Sequence, residues 1–306
     1  MKPKRIMVIG SCNTDMTIFT EHIPLPGETV LGNKFNMGSG GKGANQAIAI
    51  KRLGGDVLFA CKVGNDILGD NLIRHYAAEG IDIAYVSRCD TSSGVALITV
   101  DAAGENNIVV ASGANATFAE TDIEILSGEI RDSSILLLQL EIPLPAVLKA
   151  ARIAFESGVY VVLNPAPAVK LPDEIYKYIS LIVPNFTETF HLTSISPYDA
   201  HSIQSAVDVL LSKGVKNIIL TMGDRGCVVA DRELSASHII PAVPAEVIDT
   251  TAAGDTFCGA LCVALSEGKT LYEAAEFANA AAALSVQRYG AQESIPYRKD
   301  LDKISI

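Results

Sequence analysis

The feature that most restricts this chain is a rhythm. From residue 42 onward, short apolar runs of strand length alternate with longer segments whose apolar residues recur at helical spacing. Strands are expected at 57–63, 135–140, 160–163, 181–183, 218–222 and 227–230. Helices are expected at 42–53, 67–79, 145–156, 200–213, 255–267 and 271–288. Successive strands separated by helices pair in parallel, with the crossover helices laid on both faces of the sheet. The run at 6–10, apolar and ended by glycine, fits a buried strand of the same sheet. The expected class is α/β: a single domain over 1–306, with a mostly parallel central sheet covered by helices on both faces.

Two stretches break the rhythm. Segments 15–20 and 28–37 read as half-exposed strands around Pro24, Pro26 and Gly27, and 95–100 and 108–111 flank a turn-rich link. Neither pair has a helix of its own. They predict a small sheet over about 15–37 and 94–112, projecting from the main domain like a lid. One face would lie over a cleft, the other in solvent or against a second subunit.

Charge narrows the class of partner. A net charge of −11 argues against nucleic acid or an anionic membrane, both of which call for basic patches. Residues 1–13 hold too few apolar residues for a signal-peptide core or a membrane span. The six cysteines are scattered without a Cys-x-x-Cys pair, and Cys258 and Cys262 share a helix face with no histidine near in sequence. They fit small buried apolar residues in a reducing cytoplasm. The five histidines have no metal-like spacing.

Chemistry concentrates at 249–260, Asp-Thr-Thr-Ala-Ala-Gly-Asp-Thr-Phe-Cys-Gly-Ala. Ala252, Ala253 and Gly254 stand where a loop becomes a helix, and a helix start offers unpaired N–H groups and partial positive charge. Small residues let an anion approach those donors. Asp255, on the first turn, could take a proton from an attacking hydroxyl, and a cradle beside a base suits phosphoryl transfer. Taken alone, the same Asp also serves as an ordinary first-turn acid.

Other candidates lie after apolar runs, where open α/β sheets gather ligands. Asn13 and Asp15 follow the first strand and suit adjacent hydroxyls, although an Asx turn would use the same residues. Glu141 ends another strand, where an unserved carboxylate would be costly. Asn185-Phe186-Thr187-Glu188 has the spacing of a capping box, and the functional reading beside it is organisation of Mg²⁺ and phosphate through water. Thr221, Gly223 and Gly226 form a glycine-rich turn suited to a nucleotide. Gly38-Ser39-Gly40-Gly41-Lys42-Gly43 formally matches a dinucleotide fingerprint, but the segment before it is polar where a buried strand is needed. The preferred reading uses Gly41 and Gly43 for close backbone approach to a polyhydroxy ligand, with Lys42 and Asn45 as donors.

Together these residues resemble the ribokinase family of sugar kinases, the PfkB carbohydrate kinases, essentially from end to end. The likeness is carried by Gly40–Ala47 (Gly-Gly-Lys-Gly-Ala-Asn-Gln-Ala) and by Asp249–Phe257. It is strengthened by Gly10–Asp15, Asn164-Pro165-Ala166-Pro167-Ala168 and Gly290-Ala291-Gln292. The resemblance implies sugar contacts at Asn13, Asp15, Gly41, Lys42, Asn45 and Glu141, with Asp255 as the base and Ala252, Ala253 and Gly254 as the anion hole. It implies nucleotide contacts at Asn185, Thr221, Gly223, Gly226, Gly254 and Asn279, and Glu188 organising Mg²⁺ through water. Asp249, Thr251, Ser285, Arg288, Gly290 and Ser294 would hold K⁺, several of them through backbone carbonyls, and the small sheet would form a homodimer. Ser39, Asn279 and Phe186 depart from the residues usual in the family.

The implied reaction is ATP-dependent phosphorylation of a small sugar, D-ribose to ribose 5-phosphate first, with 2-deoxyribose, fructose or a nucleoside as alternatives. A sugar-binding regulator without catalysis is a second class, against which the presence of both Asp255 and Glu188 speaks. A dehydrogenase binding NAD through the glycine match is a third.

Overall fold

The computed structural model describes residues 4–231 and 237–302. Its strands are β1 (Ile6–Ile9), β2 (Asn13–Phe19), β3 (Lys34–Gly40), β4 (Val57–Gly64), β5 (Val86–Cys89), β6 (Gly94–Val100) and β7 (Asn106–Ala111). There follow β8 (Ile135–Leu138), β9 (Tyr160–Leu163), β10 (Leu181–Ile182), β11 (Asn217–Thr221), β12 (Cys227–Asp231) and β13 (His238–Ile240). The helices are α1 (Lys42–Arg52), α2 (Ile67–Ala78), α3 (Glu120–Ile125), α4 (Ser127–Asp132), α5 (Leu144–Glu156) and α6 (Asp173–Tyr176). The remainder are α7 (Phe186–Thr193), α8 (Ala200–Ser212), α9 (Ala253–Ser266), α10 (Leu271–Ser285) and α11 (Arg298–Leu301).

Among the described residues the large sheet has nine strands in the order β13-β12-β11-β10-β9-β8-β1-β4-β5. Pairing is parallel except at the β11–β12 and β12–β13 edge. β1 lies between β8 and β4, and all four of its side chains are fully buried. Ile6 and Val8 enter the apolar layer shared with α1, α2, α9 and α10, while Met7 and Ile9 enter the layer under α5 and α8. Burial on both faces explains why these strands read as continuous apolar runs rather than as alternating ones.

The second sheet has the order β3-β2-β6-β7, with β2 parallel to β6 and antiparallel to β3. The expected strand at 28–37 begins only at Lys34. Before it, Glu28 N–H closes a turn onto Leu25 O, and the Glu28 carboxylate accepts from Leu25 N–H, around a Pro-x-Pro-Gly stretch poor in ladder donors. In the other direction β2 begins at Asn13, so Asn13 and Asp15 are strand residues paired with Gly40 and Gly38, and no Asx turn forms. The glycine run that mimics a dinucleotide fingerprint therefore begins inside β3, a largely exposed antiparallel strand, which removes the strand context that motif requires.

Two close approaches join these parts. A Cβ at Gly43, on the first turn of α1, would fall 2.7 Å from backbone atoms of Gly10 and Ser11, so α1 starts hard against the β1–β2 link. A Cβ at Gly259 would meet the Ala49 methyl at 2.6 Å and Gln46 O at 2.9 Å, so α9 crosses α1 with almost no side chain between them. Among the described residues no helix is long and apolar enough to cross a membrane.

Candidate active site

The α1–α9 crossing determines what Asp255 touches. Asp255 lies one helical turn before Gly259, on the buried face of α9. Its Oδ2 accepts from Asn45 Nδ2 and its Oδ1 from Gln46 Nε2, both at 2.9 Å. Burial pushes this carboxyl up, against the opposing effects of the Lys42 ammonium and the two amide donors. Lys42 loses solvation by burial, but Asp255, Glu141 and Glu188 outweigh that loss and hold its ammonium above the usual lysine range. The result is a carboxylate made more basic than a surface Asp yet kept beside a permanent cation.

The chain enters α9 through Ala252, whose φ of 60° is left-handed and uncommon for a residue with a Cβ. Ala253 N–H donates to Thr250 O, and Thr256 N–H begins the helical ladder on Ala252 O. Among the described residues the N–H groups of Gly254 and Asp255 have no protein acceptor, and Ala252 through Asp255 line a cleft. These are the geometric requirements of an anion cradle.

A second group lies where the chain leaves the large sheet after β1 and enters β2. Glu141 accepts from Ser11 Oγ at 2.5 Å and from Lys42 N–H at 3.0 Å, which fixes its carboxylate at the start of α1. Asn13 Oδ1 accepts from Asn115 Nδ2 at 2.8 Å, so the Asn13 amide turns its NH₂ away from that contact. Asn115 is itself locked on both sides of Cys12, accepting from Cys12 N–H and donating to Cys12 O, each at 3.0 Å. Asp15 is pushed up to about 7 by burial, then by the neighbouring charges of Glu141, Glu293 and Asp255. Gly41, at φ 89°, has the backbone of Cys12 and Asn13 where a side chain would go. The glycines at 41 and 43 are thus required by chain packing, whatever ligand lies beside them.

The cleft, of about 880 Å³, runs from Lys42 and Asp255 past Asn185, Glu188, Thr221, Gly223 and Gly226 to Asn279. Its volume suits a nucleotide-sized ligand. Asn279 Nδ2 donates to Pro241 O at 2.6 Å. Gly223 has open space around it, whereas at Gly226 a Cβ would lie 2.0 Å from Ile240 O. Asn185 and Glu188 do form the capping box at the start of α7. Both Glu188 oxygens accept from Asn185, one from its N–H at 2.8 Å and one from its Nδ2 at 3.0 Å. Burial raises the Glu188 carboxyl even against those donors and Lys42. The Cys258 thiol lines the same cleft, and burial keeps it protonated, which leaves the carboxylate oxygens as the atoms there suited to a hard cation.

Asp249 ties two loops together. Its Oδ1 accepts from Thr251 N–H (2.9 Å) and Thr251 Oγ1 (2.6 Å), and its Oδ2 accepts from Gly290 N–H at 2.9 Å. Val286 O accepts from both Ile248 and Asp249 N–H groups. Segments 249–251 and 285–290, and with them Ser285 and Arg288, are thereby held side by side. Ser294 sits on the short turn that follows, its Oγ donating to Ala291 O at 2.7 Å. The Asp249 carboxylate, the hydroxyls of Thr251, Ser285 and Ser294 and the backbone carbonyls of Arg288 and Gly290 are hard oxygens, while the Arg288 guanidinium is taken up by Asp300.

Several residues that organise the site were not singled out by sequence reasoning. Gln46, Asn164 and Gln292 stood inside motifs used only for resemblance, and Gln139 two residues before Glu141; nothing marked Asn115.

With this geometry the comparisons agree. The pfkB family carbohydrate kinase model matches residues 3–298. A ribokinase of Haemophilus influenzae is 43% identical over 298 residues, 97% of each chain. A deoxyribokinase of Salmonella typhi is 38% identical over 95% of each chain. The solved structure of Arabidopsis thaliana ribokinase complexed with ribose and ATP matches over 100% of both chains, with a TM-score of 0.90 and 33% identity. The chain belongs to the pfkB family of carbohydrate kinases and is an ATP-dependent sugar kinase.

Proposed function

We propose that this enzyme transfers the γ-phosphoryl group of ATP to the primary hydroxyl of D-ribose, giving ribose 5-phosphate and ADP. The observation that carries the choice of sugar is the pairing of Asn13 with Asp15. Asn115 occupies the Asn13 oxygen and leaves its NH₂ as a donor, two residues from a carboxylate that only accepts when ionised. A donor beside an acceptor on one strand face matches two adjacent hydroxyls.

In this reading Asp255 takes the proton of the attacking hydroxyl. That oxygen bonds to the γ-phosphorus as the bond to the ADP oxygen breaks, and the proton stays on Asp255 until product leaves. A base raised by burial is better matched to an alcohol than a surface Asp. Lys42 and the Gly254 and Asp255 N–H groups stabilise the charge carried by the phosphoryl oxygens. Asn45 and Glu141 orient the sugar, while Asn185, Thr221, Gly223, Gly226 and Asn279 receive the nucleotide. Glu188 fits a Mg²⁺ held through water, which would neutralise charge on the phosphates. Asp249, Thr251, Ser285, Arg288, Gly290 and Ser294 fit K⁺, behind the cradle rather than in the cleft.

The small sheet acts as a lid over the sugar and as the contact of a homodimer. One of its faces carries Asn13 and Asp15. The alternate residues Ile18, Phe35, Met37, Leu97 and Val109 leave the other face apolar and exposed, an uncommon surface for a chain that works alone. Six free thiols suit a cytoplasmic setting, and an acidic surface leaves nucleic acid and membrane out of the reading.

The test is ADP release with ribose, 2-deoxyribose, fructose and nucleosides at one ATP and K⁺ concentration. A site that hydrogen-bonds a hydroxyl can reject the analogue lacking it by ~10⁴-fold, less where water reaches the site. Ribose is expected to exceed 2-deoxyribose widely in kcat/KM; equal values overturn the choice of ribose.

A further inference from the structure

Both oxygens of Asp255 lie at the ends of chains of side-chain amides, and every amide in them is turned the same way. On one side Gln139 Nε2 donates to Gln46 Oε1 (2.5 Å), and Gln46 Nε2 donates to Asp255 Oδ1 (2.9 Å) and to Asn164 Oδ1 (3.1 Å). On the other, His75 Nε2 meets Gln292 Oε1 (2.8 Å), Gln292 Nε2 donates to Asn45 Oδ1 (3.1 Å), and Asn45 Nδ2 donates to Asp255 Oδ2 (2.9 Å).

The common direction follows from the carboxylate. An ionised carboxylate only accepts, so it draws the NH₂ groups of Asn45 and Gln46 toward itself. Their oxygens then face outward and each requires a donor, which Gln292 and Gln139 supply. The same demand passes along the longer chain to His75, whose Nε2 must carry a proton. Chained donors polarise one another toward the terminal acceptor. The arrangement is kept at a cost, because Gln139 Oε1 is buried with no hydrogen-bond donor among the described residues. Turning that amide over would set its oxygen against the Gln46 oxygen and break the chain.

We propose that Gln46 and Gln292 are positioning residues that hold the Asp255 carboxylate oriented and ionised for proton abstraction, with His75 as the outer end of the longer chain. This rests on the reading of Asp255 as the base. Gln46 is fully buried and Gln292 nearly so. Neither lines the nucleotide cleft, and because Gln292 also holds Asn45, sugar KM and the acid limb together separate an effect through Asp255 from one on the sugar. Burial pushes the Asp255 carboxyl up while the amide donors hold it down, so losing a donor lets it rise. The other groups facing it are Lys42 from α1, Glu141 after β8, Asp15 from β2, Glu188 from α7 and the Cys258 thiol from α9 itself. All of them are unchanged in the variants below.

The experiment compares Gln46→Met and Gln292→Met with the parent in single-turnover phosphoryl transfer at saturating ribose and ATP, across pH. The rate is expected to fall on the order of 10- to 100-fold, as for a misaligned reacting group. Sugar KM should stay within about threefold, the mark of an interaction that matters mainly in the transition state. In Gln46→Met, which removes a direct donor, the acid limb should move up by about one pH unit, the scale of one lost donor to a carboxylate; in Gln292→Met, which acts through Asn45, it should move the same way by less. The proposal is overturned if both rate and limb stay where they were in folded variants, or if the rate falls while the acid limb does not move. Since the two variants act on opposite oxygens, either one decides the matter should the other fail to fold. Asp255→Asn runs beside them. If it is as active as the parent, the base assignment itself falls; if it is inactive while both glutamine variants are normal, only the positioning role falls.

Discussion

Gly40 and Asp15 lie diagonally across the β2–β3 pair with no room between them: a Cβ at position 40 would sit 2.1 Å from an Asp15 carboxylate oxygen. The obstacle is a short side chain rather than backbone, so Gly40→Ala is expected to leave the fold intact and displace Asp15. Sugar KM should rise by about tenfold or more, the scale of a lost hydrogen bond to a charged group. Nucleotide KM should be unchanged. Steady-state kinetics with each substrate varied in turn checks this, and an unaltered sugar KM would remove Asp15 from sugar recognition.

Asp255→Asn should keep measurable sugar binding by calorimetry and lose turnover by ~10²–10⁴-fold, the usual worth of a general base. Near-parental turnover in a folded variant takes Asp255 out of the chemistry.

Asp15 also makes a pH prediction. Its carboxyl is raised in the folded protein from 3.8 to about 7, chiefly by burial. The folded state therefore binds more protons than the unfolded chain between those values, and stability falls as pH rises through the window. Asp15→Asn, which cannot titrate, should exceed the sugar-free parent in stability by a margin that grows from about pH 4 to pH 7. The margin then levels off at a few kcal/mol. Denaturant melts at several pH values measure it, and a margin independent of pH would contradict the raised carboxyl.

Gly259→Ala should be costly in two ways. The added methyl meets Gln46 O at 2.9 Å, a backbone atom that cannot swing aside, so α9 must move off α1. Overpacking of this kind typically costs about 1–3 kcal/mol. The same displacement draws Asp255 away from Asn45 and Gln46, so kcat should drop at temperatures where the variant is still fully folded. A melt paired with an assay well below the midpoint separates the two effects.

Potassium should raise activity or nucleotide affinity by at least about fivefold, the lower end of ordinary coupling between sites. The motive is the continuity of Asp249 and Thr251 with Ala252 to Gly254, tied to Gly290 by the Asp249 carboxylate. Equal activity in potassium and in an organic counter-ion free of sodium would mean that the site is absent or idle.

The parts legible in the sequence were those that alternate. The inner strands of the large sheet announced themselves as apolar runs because burial on both faces leaves no polar register to obscure them, whereas the half-exposed edge strand β5, Val-Ser-Arg-Cys, carries no such run and was not expected. The start of α9 was legible because small residues followed by an acid at a helix entry have few other uses. Less visible were α7, hidden in a capping box whose structural role also proved real, and β13, a three-residue edge strand following the undescribed residues 232–236. The beginning of β3 was misplaced because strand propensity says little about where exposed chain between prolines first finds a partner. The amides around Asp255 were the least legible. Gln46 and Gln292 are 246 residues apart in sequence and share one carboxylate network only through the α1–α9 crossing and the 292–295 turn. An amide has no distinctive spacing, since its meaning depends on which neighbour it faces.

The small sheet joins the large one through Gly10–Cys12 and again at Gly40–Gly41, and the strand that carries Asn13 and Asp15 belongs wholly to it. Asp255, its amide chains and the nucleotide cleft are built on the other body of the molecule. On the proposed reading of Asn13 and Asp15, an inherited change in β2 or β6 alters part of the sugar site while the phosphoryl-transfer apparatus stays untouched. That separation offers a physical route by which one ancestral kinase could give rise to relatives that differ in a single hydroxyl of their substrate, without any of them passing through an inactive ancestor.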